Sequence, residues 1–198
     1  MNNSSVYFDP EIETMSRNKL DRLQLDRFKD TVTQAMNAPF YGALYKKLGL
    51  SADSIRTLDD VRKFPFTTKA DLREHYPFGL VATDMRKIIR LHSSSGTTGN
   101  PTVIVHTRTD IERWAHRMAR CMYMAGLRDT DVIQNTSGYG MFTGGLGIQY
   151  GAECLGAMTI PAAAGNSIRQ VKFIMDFGTT ALHAIPSYAL RLAEVFAE

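Results

Sequence analysis

From residue 131 to 197, β-prone and helical runs alternate three times. Residues 131–136 (DVIQNT), 157–161 and 181–185 read as strands. Residues 144–155, 167–177 and 187–197 read as helices. Repeated strand–helix alternation constrains a fold more than any composition does: it requires a parallel sheet with helices on its faces and right-handed crossovers. The fold class expected is α/β, a mostly parallel, helix-covered sheet preceded by a helical region.

The first 80 residues have a different character. Leu20, Leu23, Phe28, Val32 and Met36 recur at helical spacing, predicting a helix over 16–36 with Ser16 as a candidate cap. A second helix is expected over 40–48, closed by Gly49, and a third over 58–63, stopped by Pro65. Thr68 followed by Asp71 forms a capping-box pattern for a helix over 69–75. Residues 1–84 are therefore expected as an N-terminal helical region and 85–198 as an α/β subdomain.

Charge divides the same way. Of 23 basic and 20 acidic residues, 15 and 12 fall in residues 1–90, and 8 and 8 afterwards. The net +3 is thus interspersed with acids and not striped, so no nucleic-acid partner and no membrane partner is expected. Two cysteines, Cys121 and Cys154, and a polar, acidic start without an apolar core predict a cytoplasmic protein. They show no metal-ligand spacing with the histidines, so no metal site is expected in this chain. His183, like His75 and His116, reads as scattered and structural. His92 and His106 flank the loop described next and also read as structural.

Twelve of 15 glycines lie after residue 90. Two of them sit in the sharpest local feature, SSSGTTGNPT (93–102), between the β-prone runs 87–92 and 102–107. Two strands around such a loop predict a β-hairpin with a long tip. Glycines let backbone N–H groups converge on one point, and hydroxyls add donors to the same anion. This is a phosphate cradle, but not a Walker A motif, because the glycines are too close and no lysine follows. Seven more glycines lie between Gly138 and Gly156, interleaved with Tyr139, Phe142, Ile148 and Tyr150. Close backbone approach beside aromatic walls suits a flat apolar ligand. The competing reading takes these glycines as helix-packing residues and Phe142 and Ile148 as ordinary core.

Together these segments resemble the adenylate-forming enzymes, and within them the phenylacetate–CoA ligases. FPFTTKADLREHYPFG (64–79) is similar to an N-terminal signature of that group. RLHSSSGTTGNPT (90–102) is similar to its phosphate loop, and GYGMFTGGLGIQYGAE (138–153) to its acyl-site segment. IPSYALRLAE (185–194) is a weaker fourth match. The resemblance implies ATP-dependent activation of an arylacetic acid to an acyl-adenylate, then thioesterification with coenzyme A, AMP-forming. It implies that Ser94, Ser95, Gly96, Thr97, Thr98 and Gly99 bind the ATP phosphates. It implies that Ser137, Tyr139, Phe142 and Ile148 form the acyl pocket. The substrates and cofactors implied are ATP with Mg2+, coenzyme A and an aryl acid.

Three departures qualify the likeness. Asn100 stands where the family often has lysine, Ser137 where it tends to have an aromatic, and Ile148 where a smaller residue is expected. The resemblance also implies adenine, ribose and CoA contacts, and a catalytic lysine on a C-terminal domain, that this chain does not contain. The expectation is therefore an N-terminal portion with no catalytic residue of its own, inactive in isolation. Two other readings are kept: an adenylyl-transfer enzyme with a non-CoA acceptor, and a non-catalytic dimerisation or binding stub. Tyr41, Tyr45, Phe64 and Phe66 could support a homodimer.

Overall fold

The computed structural model describes residues 6–94, 100–141 and 143–197. Of the site residues named above, Ser95, Gly96, Thr97, Thr98, Gly99 and Phe142 lie outside the described residues. The chain divides into two compact units, residues 10–108, and residues 1–9 with 109–198. The sequence expectation drew its line at residues 84 and 85 instead. The hairpin strands pair with each other and not with the parallel sheet, which leaves them in the helical unit.

The unit of residues 10–108 begins with α1 (Pro10–Glu13), α2 (Arg17–Ala35) and α3 (Pro39–Leu48). Ser16 occupies the N-cap of α2 but makes no side-chain cap hydrogen bond. Gly49 closes α3 with φ 64°, the left-handed conformation for which glycine is favoured. Residues Leu58–Lys63 form a 3-10 helix, and α4 (Lys69–Glu74) starts in the expected capping box of Thr68 and Asp71. The core of this unit is Val32, Tyr45 and Ile55, with Phe28 and Phe64 packed against it. The Phe64 ring stands edge-on to both Phe28 and Tyr45 at 5.3 Å. Tyr41 and Phe64 also pack on that core, so of the four aromatics considered for a dimer only Phe66, 96% exposed, faces solvent freely. The hairpin β1 (Ile88–Ser93) and β2 (Val103–Thr107) completes the unit, antiparallel as expected.

The second unit is built from α5 (Arg108–Met124), β3 (Val132–Asn135), α6 (Thr143–Leu155), β4 (Met158–Ile160), α7 (Ser167–Phe177), β5 (Ala181–His183) and α8 (Pro186–Ala197). The three strands are parallel in the order β4-β3-β5, with Ile133 opposite Thr159 on one side and Ala181 on the other. Chain order reverses at β3, the first strand in sequence and the middle one in space. Ala119, Met122, Ile133, Ala152, Leu155 and Ala157 form the core. Phe8 packs on it and against the rings of His116 and Tyr123, which explains why residues 6–9 belong to this unit.

α6 lies unusually close to α5. A Cβ on Gly147 would stand 2.4 Å from Trp114 Cζ2, and one on Gly151 would stand 2.5 Å from Met118 Cβ. Both glycines are therefore helix-packing residues. Among the described residues no helix is long and apolar enough to cross a membrane.

Candidate functional site

The hairpin positions the expected phosphate loop in the first unit. Its ladder runs through Ser93 opposite Val103. Past that point Ser94 N–H donates to the Thr102 carbonyl at 3.0 Å, and Thr102 N–H donates to Ser94 Oγ at 3.0 Å. Ser94 thus closes the neck of the loop, and its hydroxyl hydrogen has no acceptor among the described residues. His92 is buried, with its ring 5.2 Å from that of His106 and nearly perpendicular to it. The two histidines interlock across the hairpin below the loop.

The second unit carries a cavity of about 470 Å³, within the size range of small-molecule sites. All of its lining follows strand C-termini. Thr136, Ser137 and Gly138 come after β3, and Ala164 and Gly165 after β4. Ile185, Ser187, Tyr188 and Arg191 come after β5. In open parallel sheets ligands bind at the carboxyl ends where strand order reverses, and β3 is that point here. Tyr188 OH lies 3.4 Å from the Gly165 carbonyl, linking the start of α8 to the loop after β4. Arg191 at the rim pairs with Glu194 at 3.0 Å.

One buried amide organises this rim. Asn135 is fully buried; its Nδ2 donates to the Gly145 carbonyl at 2.8 Å and to Tyr139 OH at 3.0 Å. Its Oδ1 accepts Ser137 N–H at 3.1 Å and lies 3.1 Å from His183 Nδ1. Ser137 Oγ is 3.2 Å from the same nitrogen. Burial pushes the pKa of His183 down from its ordinary value. Burial also raises that of Tyr139, against the Asn135 hydrogen bond, which lowers it. A second amide pair sits on the other side of β3. Gln134 Nε2 donates to Gln170 Oε1 at 2.7 Å, and Gln170 Nε2 donates to the Ala163 carbonyl at 2.7 Å.

Of the expected acyl-pocket residues, Ser137 lines the cavity. Tyr139 is held against Asn135, and Ile148 packs on the hydrophobic core. Sequence reasoning missed Asn135 and set His183 aside as scattered. Both lie at the ends of strands that the sequence did show, so the strand-end rule was the signal that could have joined them. The perturbed carboxylate Asp131, at the opposite strand end, is held low first by the Thr180 hydroxyl at 2.6 Å and then by Arg128 N–H. It stitches the sheet together. Among the described residues no group of three or more His, Cys, Asp or Glu is placed to hold a metal.

No protein-family model matches the chain. Individual proteins do. Phenylacetate-coenzyme A ligase of Escherichia coli is 46% identical over 192 residues, 96% of this chain and 44% of that protein. The Thermus thermophilus enzyme of the same name is 44% identical over 192 residues, 96% of this chain and 43% of its own length. The chain thus spans less than half the length of the curated relatives it matches. A 2-hydroxyisobutyryl-CoA ligase in complex with 2-HIB-AMP and CoA superposes with a TM-score of 0.90 at 33% identity, over 98% of this chain and 43% of that one. The same ligase in an open conformation gives 0.89 at 31% identity, over 98% and 47%. By sequence the chain is a relative of the phenylacetate-coenzyme A ligases over nearly all its own length, and it carries the adenylate-forming ligase fold.

Proposed function

We propose that the chain supplies the phosphate loop and the acyl site of an ATP-dependent aryl-acid–CoA ligase. The acid's carboxylate attacks the α-phosphorus of MgATP, pyrophosphate leaves, and an acyl-adenylate forms. The thiol of coenzyme A then attacks the acyl carbon, and AMP leaves. Such chemistry needs little from the protein beyond positioning and stabilisation of shifting charge. On this reading, Ser94 holds the neck of a loop whose residues 95–99 take the β- and γ-phosphates. The cavity beyond β3 takes the acyl group, with Ser137 in its wall. The magnesium ion enters as part of the nucleotide.

The observation that carries the proposal is the cavity at the strand-order reversal, lined by Ser137, by Gly138 at the start of the acyl-site-like segment, and by Ile185, Ser187, Tyr188 and Arg191 of the weaker match 185–194. Titration of the chain with a non-hydrolysable phenylacetyl-adenylate, followed by calorimetry, tests it. Saturable binding that is lost on filling the cavity with Gly138→Phe is expected. Binding unaffected by that change, or no binding, refutes the assignment.

A cytoplasmic location is part of the same proposal, supported by the free, exposed thiols of Cys121 and Cys154. A homodimer is its assembly, supported by the exposed Phe66 and Val61 of the helical unit. A monomer in sedimentation velocity at micromolar concentration refutes the dimer.

A further inference from the structure

The hydrogen-bond geometry around Asn135 fixes where the protons are. Its amide cannot be flipped. The Gly145 carbonyl at 2.8 Å requires a donor, and Ser137 N–H at 3.1 Å requires an acceptor. Asn135 Oδ1 therefore faces His183 Nδ1 at 3.1 Å with a lone pair. An unprotonated Nδ1 would set two lone pairs against each other in a buried site, so Nδ1 carries the hydrogen. That N–H is shared between Asn135 Oδ1 and Ser137 Oγ, at 3.1 and 3.2 Å. Ser137 Oγ is then an acceptor in this contact, and its own hydrogen has no acceptor among the described residues.

The other polar groups of the cavity are placed differently. Thr136 Oγ1 donates to the His183 carbonyl at 2.9 Å, and Tyr188 OH points to the Gly165 carbonyl. Arg191 pairs with Glu194. Ser187 is exposed, where water competes for its hydroxyl. Ser137 is half-buried, and Ala164 and Ile185, which line the same cavity, are apolar. A hydroxyl donor held among apolar surfaces discriminates sharply for a ligand acceptor, because a ligand without one leaves the donor unpaired.

We propose that Ser137 is the specificity-determining residue of the acyl site, positioned by His183, and that it selects a ring-hydroxylated arylacetic acid over an unsubstituted one. This rests on the reading of the cavity as the acyl site. The donated hydrogen bond goes from Ser137 Oγ to the substituent oxygen. His183 is a positioning residue, acting only through the Ser137 hydroxyl.

The test is an amide-detected NMR titration of the 198-residue chain with phenylacetate and with 2-, 3- and 4-hydroxyphenylacetate. Dissociation constants are read from the Ser137 and Gly138 signals. At least one hydroxylated acid is expected to bind about tenfold more tightly than phenylacetate. S137A should bring that ratio within twofold while phenylacetate still binds. H183F should reduce the ratio in the same way, a change in selectivity that a merely structural role would not single out. Side-chain nitrogen spectra should show His183 as the Nδ1–H tautomer. Phenylacetate binding as tightly as every hydroxylated acid overturns the proposal alone, as does an Nε2–H tautomer or a preference that survives S137A. Failure of all four acids to shift the cavity signals overturns both this proposal and the acyl-site reading beneath it.

Discussion

Gly147→Ala decides between the two readings of the glycine-rich segment. The added Cβ would stand 2.4, 2.8 and 3.1 Å from Trp114 Cζ2, Cε2 and Nε1. Carbon atoms pack at about 3.5 Å, so α6 and the indole must separate by about 1 Å. Overpacking of this kind costs about 1–3 kcal/mol, and the better helix propensity of alanine returns about 1 kcal/mol. The expected net loss is therefore up to about 2 kcal/mol, and an approach of 2.4 Å to a rigid indole ring puts it at the upper end of that range. Urea denaturation followed by far-UV circular dichroism measures it, because Trp114 is the only tryptophan and its fluorescence would report the mutated contact itself. Two controls sharpen the result. Trp114→Leu should relieve the clash, so that G147A in that background is neutral or stabilising; contacting residues couple by about 0.5–3 kcal/mol. Gly138→Ala, whose Cβ would meet nothing within 4 Å, should change stability by less than about 0.5 kcal/mol. A G147A chain as stable as its parent, with Trp114 intact, refutes the close-packing argument.

Asn135→Ala removes the partner of the Gly145 carbonyl, Ser137 N–H and His183 Nδ1–H in a fully buried site, and should cost about 3 kcal/mol by the same denaturation assay. His183 has a pKa depressed by burial, so the unfolded chain takes up its proton first. Its contribution is therefore intact above its ordinary value of 6.5 and declines as pH falls below it, and His183→Asn should flatten the stability slope between about pH 7 and 5. Thr68→Ala removes the cap of α4, which should lower protection of its amides in hydrogen exchange by about 1 kcal/mol. The same change should let the Asp71 carboxyl, held low first by the Thr68 hydroxyl, titrate closer to its ordinary range in a carbon-detected NMR titration.

The elements were legible where their signals were local. Thr68 with Asp71, Gly49 after Leu48 and Gly178 after Phe177 mark helix ends through groups within a few residues of each other, and all three do so in the structure. Ser16 shows the limit of that logic: it stands at the cap position, yet its side chain makes no cap bond. The four-residue α1 is too short to produce a period and was not foreseen. The loop after β1 was legible as a hairpin tip, but not that Ser94 closes it, since the Thr102 N–H that does so is eight residues away. The glycines of α6 announced close approach without naming the partner. Trp114 is 33 positions from Gly147, and only the packing of α5 on α6 brings them together.

The same distinction accounts for the cavity. The sequence of β3, VIQN, places two amides in the central strand of a buried sheet, where a parallel strand is normally an apolar run. Adjacent side chains on a strand point to opposite faces, so Gln134 and Asn135 reach different layers. Gln134 holds Gln170 of α7, which in turn holds the Ala163 carbonyl in the loop after β4. Asn135 holds the Gly145 carbonyl of α6 and the end of β5 at His183. Right-handed crossovers to strands on either side of β3 require α6 and α7 on opposite faces, and the two amides pin one helix each. The loops that wall the cavity after β3, β4 and β5 are therefore all tied to two neighbouring residues of one strand. Both residues are buried and polar, and burial keeps water from competing for the hydrogen bonds by which they hold the Gly145 carbonyl of α6, the Gln170 amide of α7 and, through Gln170, the loop after β4.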